Sequence, residues 1–267
     1  MSSKEDESIA ELQPVVLKGK RALVLGIANE HSIAYGCARV FRKLGAELAI
    51  TYANEKSRAY VEPLAKELDA KIFRVCDVSN PGDLESLFEE IGSSWGSLDI
   101  ALHSIAFAPK DDLHGRVVDS SADGFRIAMD ISCHSFIRMA RLAEPLMPNG
   151  GSLLCMSYHG ANKVVPNYNL MGPVKAALES SVRYLAYELG DKQIRVHAIS
   201  PGPLKTRAAS GIKDFGALLA EASERSPIGE LVDIDDVGLT TAFLTTPFAR
   251  RLTGTVTYVD GGLNIMA

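Results

Sequence analysis

Apolar and polar positions along this chain alternate between two periods, and the alternation itself predicts an architecture. Arg21-Ala22-Leu23-Val24-Leu25 is a short and nearly continuous apolar run, as in a strand buried on both faces. Ile33 to Leu44 then carries apolar residues at helical spacing and closes at Gly45. The pair of patterns recurs to the end of the chain. Strands are predicted over Glu47 to Tyr52, Lys71 to Val75, Asp99 to Ser104, Gly151 to Ser157, Arg195 to Ser200 and Thr255 to Val259. Helices are predicted over Lys56 to Leu68, near Pro81 to Ile91, around Gly124 to Leu146, through the segment holding Tyr168 and Lys175, and over Asp235 to Leu244. Strands alternating with helices of roughly 10–15 residues imply parallel βαβ units. The fold class is therefore α/β: a single-domain, Rossmann-like, doubly wound parallel sheet with helices on both faces. No linker, internal repeat or low-complexity segment interrupts residues 16–267, and residues 1–15 read as a flexible extension.

Composition narrows the setting. The chain has 267 residues, 46% hydrophobic and 23% charged, which suffices for one large core. A net charge of −5 argues against a general nucleic-acid binder without excluding a local basic patch. Cys37, Cys76, Cys133 and Cys155 stand singly in apolar segments, as small core residues of a reducing compartment and not as a disulfide framework or zinc site. No apolar run approaches the roughly 18 residues needed to span a bilayer. The polar, mostly acidic start is unlike a signal peptide. The expectation is a cytoplasmic protein with no metal and no membrane partner.

In doubly wound sheets, ligands bind at the carboxyl ends of the strands, near the switch in strand order. Candidate residues gather at those ends: Gly26, Asp77, Ser104-Ile105-Ala106, Ser157-Tyr158 and Ser200-Pro201-Gly202. The first strand runs into Gly26-Ile27-Ala28-Asn29-Glu30-His31-Ser32-Ile33-Ala34-Tyr35-Gly36, which lacks the usual GxGxxG dinucleotide fingerprint. Gly26 still permits a tight turn, Ser32 is placed to cap the next helix, and Gly36 would let that helix pack close to the sheet. The exposed N–H groups of the helix start would then hold a pyrophosphate; a plain glycine turn with a serine cap fits equally well. Asp77, after the third strand, is placed either to accept from an adenine amino group or to cap a helix. An acidic residue after the second strand favours NAD and an arginine NADP. Tyr52-Ala53-Asn54-Glu55-Lys56-Ser57-Arg58 leans toward NADH and leaves NADPH open.

Tyr168 and Lys175 carry the candidate chemistry, with Tyr158 ten residues upstream of the first. Seven helical residues turn the chain by roughly 700°, so both side chains would leave one face about 10 Å apart along the axis. A neighbouring ammonium favours an ionised phenol, and such a phenol can donate to an oxygen gaining negative charge. Tyrosine and lysine at this spacing, taken alone, also fit an ordinary amphipathic helix.

Taken together, the motifs resemble the short-chain dehydrogenase/reductase superfamily, and more narrowly the bacterial enoyl-acyl-carrier-protein reductases of type II fatty acid synthesis. The residues that carry the resemblance are Gly26-x5-Ser32-Ile33-Ala34, His103-Ser104-Ile105-Ala106-Phe107-Ala108-Pro109, Tyr158-x9-Tyr168-x6-Lys175, the stretch Ser200 to Ile212, and Val259-Asp260-Gly261-Gly262. The resemblance covers residues 18–265, and Tyr-x3-Lys, the spacing of alcohol–ketone enzymes, is absent. The resemblance implies hydride transfer from NADH to the β-carbon of a trans-2-enoyl thioester on an acyl carrier protein. Tyr168 would hydrogen-bond the thioester oxygen, Lys175 would hold the nicotinamide ribose, and Tyr158 would orient substrate or relay a proton. Gly26, Ser32, Ile33, Asp77, Val78, Ile105, Lys175, Leu204, Lys205, Thr206, Arg207 and Ala208 would contact cofactor, and Ala108 substrate. The resemblance also implies a homotetramer.

Residues 209–222 read as a substrate lid, with Gly211 and Gly216 for freedom and Ile212, Phe215, Leu218 and Leu219 to cover an acyl chain. A permanently packed surface helix is the alternative. Three departures from the family pattern stand out. Ala106 replaces the usual glycine, Pro173 falls between Tyr168 and Lys175, and only Lys213 remains of the lid's basic residues. The thin basic lid leaves room for a reductase of another enoyl thioester, and a non-catalytic nucleotide sensor is the alternative of a different class.

Overall fold

The computed structural model describes residues 17–204, 206 and 215–266. The extension expected over residues 1–15 and the first part of the lid, residues 209–214, lie outside them; the rest of the expected lid is helical, within α8 (Phe215–Arg225). Seven strands, β1 (Arg21–Leu25), β2 (Glu47–Tyr52), β3 (Ile72–Val75), β4 (Ile100–His103), β5 (Gly151–Met156), β6 (Ile194–Pro201) and β7 (Thr255–Val259), form one sheet. All neighbours are parallel, in the order β3-β2-β1-β4-β5-β6-β7. Strand order reverses between β1 and β4, where Leu25 lies opposite His103, and a crevice opens beyond those carboxyl ends.

Alternation along the strands divides the core into two layers. Leu23, Leu25, Ala101, Leu153 and Val196 face one way, against α3 (Asp83–Trp95), α6 (Ser135–Ala143) and α7 (Met171–Leu189). Ala22, Val24, Leu48, Ile50, Leu102 and Leu154 face the other, against α1 (Ile33–Lys43), α2 (Glu55–Glu67) and α9 (Ile234–Thr245). Strands buried on both faces explain why they read as continuous apolar runs. Both α2 and α9 begin in a capping box, Asn54 with Ser57 and Asp233 with Asp236.

The structure differs from the sequence reading in three places that matter for the site. The helix expected over Gly124 to Leu146 is broken into α5 (Ala122–Met129), a π turn (Asp130–His134) and α6, after a short α4 (Lys110–His114). The break has a visible cause. Ser132, inside the π turn, accepts from the Phe107 amide at 2.8 Å and donates to the Phe107 carbonyl at 3.0 Å. The widened turn pins the chain segment that follows β4.

Tyr168 is not helical. Asn167 and Asn169 on either side of it take left-handed φ values of 64° and 44°, and α7 starts only at Met171. Pro173 consequently falls in the first turn of α7, where no backbone donor is required, and does not kink the helix.

Gly36 serves a different contact from the one expected. A Cβ there would come within 2.2 Å of the Ile234 carbonyl, so the glycine admits α9 against α1 and does not bring α1 to the sheet.

Candidate active site

A cavity of about 360 Å³ lies at the carboxyl ends of the strands beside the switch point. Tyr158, Tyr168 and Lys175 all line it, as do Ile33, Ile105, Ala108, Leu204 and Thr206. Ala106 and Ser157 also face it. Gly26 does not form its wall but fixes an edge. It takes φ +103°, and a Cβ there would lie 2.1 Å from the Ser104 carbonyl, so only glycine lets the turn after β1 meet the chain after β4. Lys205, Arg207 and Ala208 lie outside the described residues.

Ser32 occupies the N-cap of α1, yet its side chain does not cap the helix. Its Oγ accepts instead from the Ala28 and Asn29 amides at 3.0 and 3.1 Å, tying up the loop after β1. The Tyr35 amide donates to the Ser32 carbonyl at 2.9 Å, and the Ile33 and Ala34 amides ahead of it, at the positive end of the helix dipole, are the ones helix geometry leaves without an intrahelical partner. Asp77 is also used locally. Its Oδ1 accepts from the amide and hydroxyl of Ser79 at 2.9 and 2.6 Å, and its own amide donates to Asp83. The aspartate thus shapes the loop after β3 and does not cap a helix. Val78 beside it is buried, and its carbonyl accepts from Arg138 at 2.5 Å.

The rings of Tyr158 and Tyr168 meet edge to face, 4.8 Å between centroids. The Tyr158 hydroxyl is buried without a hydrogen-bond partner among the described residues, an orphaned polar atom in the wall of a ligand-sized cavity. Burial, with the Asp260 carboxylate second, pushes its phenol up to about 12. Burial likewise holds the Tyr168 phenol well above the ordinary range, with Tyr158 and Glu179 adding to the effect. The expectation that Lys175 would favour ionised Tyr168 therefore fails: desolvation dominates, and both phenols keep their protons.

Lys175 is only 4% exposed, and its Nζ donates to the Met156 carbonyl at 2.6 Å. Burial lowers its pKa, against the opposing influence of Cys155, Cys133 and Glu179.

Glu179 escaped the sequence reading, and Ser157, placed there only at a strand end, proves to be its partner. The hydroxyl of Ser157 donates to Glu179 at 2.5 Å, so its proton is directed away from the cavity. Glu179 is buried on α7, four residues beyond Lys175. An acid inside the apolar stripe of Met171, Val174, Leu178 and Val182 was the available signal. Among the described residues, no group of His, Cys, Asp or Glu could hold a metal, and no helix is long and apolar enough to cross a membrane.

A seven-stranded parallel sheet in this order, with a tyrosine–lysine cavity at its switch point, defines an oxidoreductase of the short-chain dehydrogenase/reductase class. Residues 26–264 match the family described as enoyl-(acyl carrier protein) reductase. The chain belongs to that family. It is 48% identical over 252 residues to the NADH-dependent enoyl-[acyl-carrier-protein] reductase of Aquifex aeolicus, covering 94% of this chain and 93% of the relative. The enoyl-acyl-carrier-protein reductase of Anaplasma phagocytophilum, solved in complex with NAD, superposes with a TM-score of 0.90 at 45% identity, over 94% of this chain and 96% of that one. The Bacillus cereus enoyl-acyl carrier protein reductase, solved with NADP+ and an indole naphthyridinone, gives a TM-score of 0.92 at 43% identity, over 94% and 99% of the two chains.

Proposed function

We propose that this protein reduces the conjugated double bond of a trans-2-enoyl thioester carried on an acyl carrier protein, in type II fatty acid synthesis, with NADH as the hydride donor. The observation that carries the reading is the convergence of Tyr158, Tyr168 and a buried Lys175 on one cavity at the switch point of a chain of this family. The residues present fit the dinucleotide. The Ile33 and Ala34 amides at the start of α1 and the Tyr158 hydroxyl, which has no hydrogen-bond partner among the described residues, are features a bound ligand would complete, and Gly26 sets the loop beside them.

NADH, when bound, supplies the hydride that adds to the substrate's β-carbon. Gly26, Ile33 and the start of α1 would hold its pyrophosphate side, with Ser32 stiffening that loop. Asp77 and Val78 would flank the adenine, and Ile105, Leu204 and Thr206 the nicotinamide side. Lys175, with the N–H donors not given to Met156, would hold the ribose hydroxyls. Tyr168 keeps its proton and would donate a hydrogen bond to the thioester oxygen as negative charge develops there, a stabilisation made stronger by the water-poor wall. Tyr158 packs edge-on against that ring and would orient the substrate or pass on a proton. Ala108 would contact the acyl chain.

Cofactor choice has a local rationale. Arg58, the arginine after β2 that would favour NADP, pairs with Glu55 at 3.6 Å and Glu62 at 3.4 Å, so its charge is already engaged. We also propose a homotetramer; Tyr184 and Tyr187 leave α7 with a large aromatic surface, 68% and 87% exposed. The experiment is NADH oxidation by absorbance with one enoyl group on acyl carrier protein and on coenzyme A, repeated with NADPH. Absence of thioester-dependent oxidation of either cofactor would overturn the reading.

A further inference from the structure

Tyr158 is held in place from behind by a residue that does not reach the cavity. Glu179, 4% exposed on α7, spreads its two carboxylate oxygens over the chain on either side of that tyrosine. Oε1 accepts from the Ser157 hydroxyl at 2.5 Å, immediately before Tyr158. Oε2 accepts from the Asn162 side-chain amide at 3.1 Å, four residues after it. The same Asn162 amide lies 3.1 Å from the Tyr258 hydroxyl on β7, which extends the clamp to the sheet edge. Between the two points of attachment lie Tyr158, in extended backbone, and a 3-10 turn, His159–Ala161, whose Gly160 packs against both tyrosine rings.

We infer that Glu179 is a positioning residue of the reductase, which clamps the Ser157–Asn162 segment and so fixes where Tyr158 meets Tyr168. The inference rests on the proposed roles of these two tyrosines. A buried carboxylate that accepts two side-chain hydrogen bonds is costly to desolvate and is tolerated only when those bonds are made. Removing any one partner leaves the others unpaired, so the four residues act as a unit.

The charge of Glu179 has a second consequence, for Lys175. Among the described residues, the titratable groups whose charge acts on Lys175 are Glu179 on its own helix, Cys155 on β5 and Cys133 in the π turn, while Tyr168 shares its cavity wall and His103 on β4 feels its field. Burial keeps both thiols protonated and His103 neutral. Glu179 is thus the anion among these groups that supports the buried ammonium.

The test compares Glu179→Gln, Glu179→Ala, Ser157→Ala and the Ser157→Ala/Glu179→Ala double variant with the wild-type enzyme. Readouts are NADH dissociation constant, kcat and KM for an enoyl thioester, and the pH profile of kcat. Glu179→Ala is expected to lower kcat about 10-fold or more with NADH affinity within about 3-fold, because orientation and not cofactor binding is lost. The double variant should cost little more than Glu179→Ala alone, since both act through one bond. Glu179→Gln keeps an acceptor for Ser157 and removes the charge. It should retain most of the turnover at neutral pH while the alkaline limb moves down by roughly half a unit to one unit. Should Glu179→Ala not fold, Ser157→Ala releases the clamp from its other side and carries the same expectation for kcat and NADH affinity.

Additive losses in the double variant, or kcat within about 2-fold of wild type in both single alanine variants, would overturn the inference. Wild-type turnover with unaffected variants sinks only this inference, whereas absent wild-type turnover sinks the reductase reading itself.

Discussion

Gly160 lies so close to Tyr168 that a Cβ on the glycine would come within 2.6 Å of the ring's Cδ1 and 3.0 Å of its Cε1. Backbone and ring are therefore matched in shape at the point where the two tyrosines meet. Gly160→Ala should push the Tyr168 ring away from the cavity. The expected result is a fall in kcat of about 10-fold or more, with NADH affinity changed by less than about 3-fold. Gly190→Ala is the control, because a Cβ there meets nothing within 4 Å. Steady-state kinetics and cofactor titration on both variants check it.

Tyr168→Phe removes the hydroxyl and keeps the ring contact with Tyr158. Turnover should fall by roughly 10–100-fold while NADH binding stays near the wild-type value. Lys175→Ala should damage both. The pH profile separates the groups further. Both phenols are shifted upward and hold their protons through the alkaline range, whereas Lys175 is shifted downward and loses its charge first. An alkaline limb in kcat therefore belongs to Lys175 and should persist in Tyr168→Phe at the same pH. Its disappearance from that variant would assign it to the phenol.

The sheet was legible in the sequence because strands buried on both faces must be continuous apolar runs, as Leu23 to Leu25 and Leu153 to Cys155 are. Which residues reach the cavity was legible for Tyr158, Tyr168 and Lys175, but the stated geometry was not. A helix through Tyr168 is the natural reading of the spacing. Asn167 and Asn169 end that reading by adopting left-handed backbone, an option asparagine takes more readily than most residues. Ser32 and Asp77 were open to a helix-capping role, yet neither caps and both bond to their own loops. Short polar side chains bond to whichever backbone is nearest, and periodicity carries no information about that choice. The break at Ser132 is of the same kind, since its cause, Phe107, lies 25 residues away.

Two buried histidines predict how the fold responds to acid. His103, whose Nε2 is 2.6 Å from the Ser135 hydroxyl, is lowered to about 3 chiefly by burial, with Lys175 next. His197, 3.1 Å from the Thr255 hydroxyl, is lowered to about 4 by burial and then Arg195. Both folded values lie below the ordinary value of 6.5. The unfolded chain therefore binds more protons between about pH 6.5 and the folded values, and stability falls as pH drops through that window. The combined loss should be on the order of a few kcal/mol by about pH 5. Urea unfolding at neutral pH and near pH 5 measures it. His197→Asn should flatten the dependence; an unchanged slope would place the acid loss elsewhere.

Cofactor preference should respond to charges that never touch the reacting atoms. Arg58 lies near the start of α2, after β2, where an arginine favours NADP, but Glu55 and Glu62 pair with it, and Lys66 pairs with Glu62 in turn at 2.9 Å. All of these groups are solvent-exposed or nearly so, and the pairs themselves contribute little to stability. Their effect on selectivity is a matter of sign. With the glutamates present, a phosphate entering here meets a neutralised arginine and a nearby anion, Glu55. Glu55→Gln/Glu62→Gln leaves Arg58 and Lys66 as uncompensated cations and removes that anion. The double variant should gain about 3–10-fold in kcat/KM for NADPH relative to NADH, and the gain should shrink as salt rises, because exposed charges are screened beyond roughly 10 Å at moderate ionic strength. Parallel assays with the two cofactors at low and high salt decide it. A ratio that stays at the wild-type value at low salt would mean that discrimination comes from the shape of the turn at Ala53 and Asn54 and not from the charge held on Arg58.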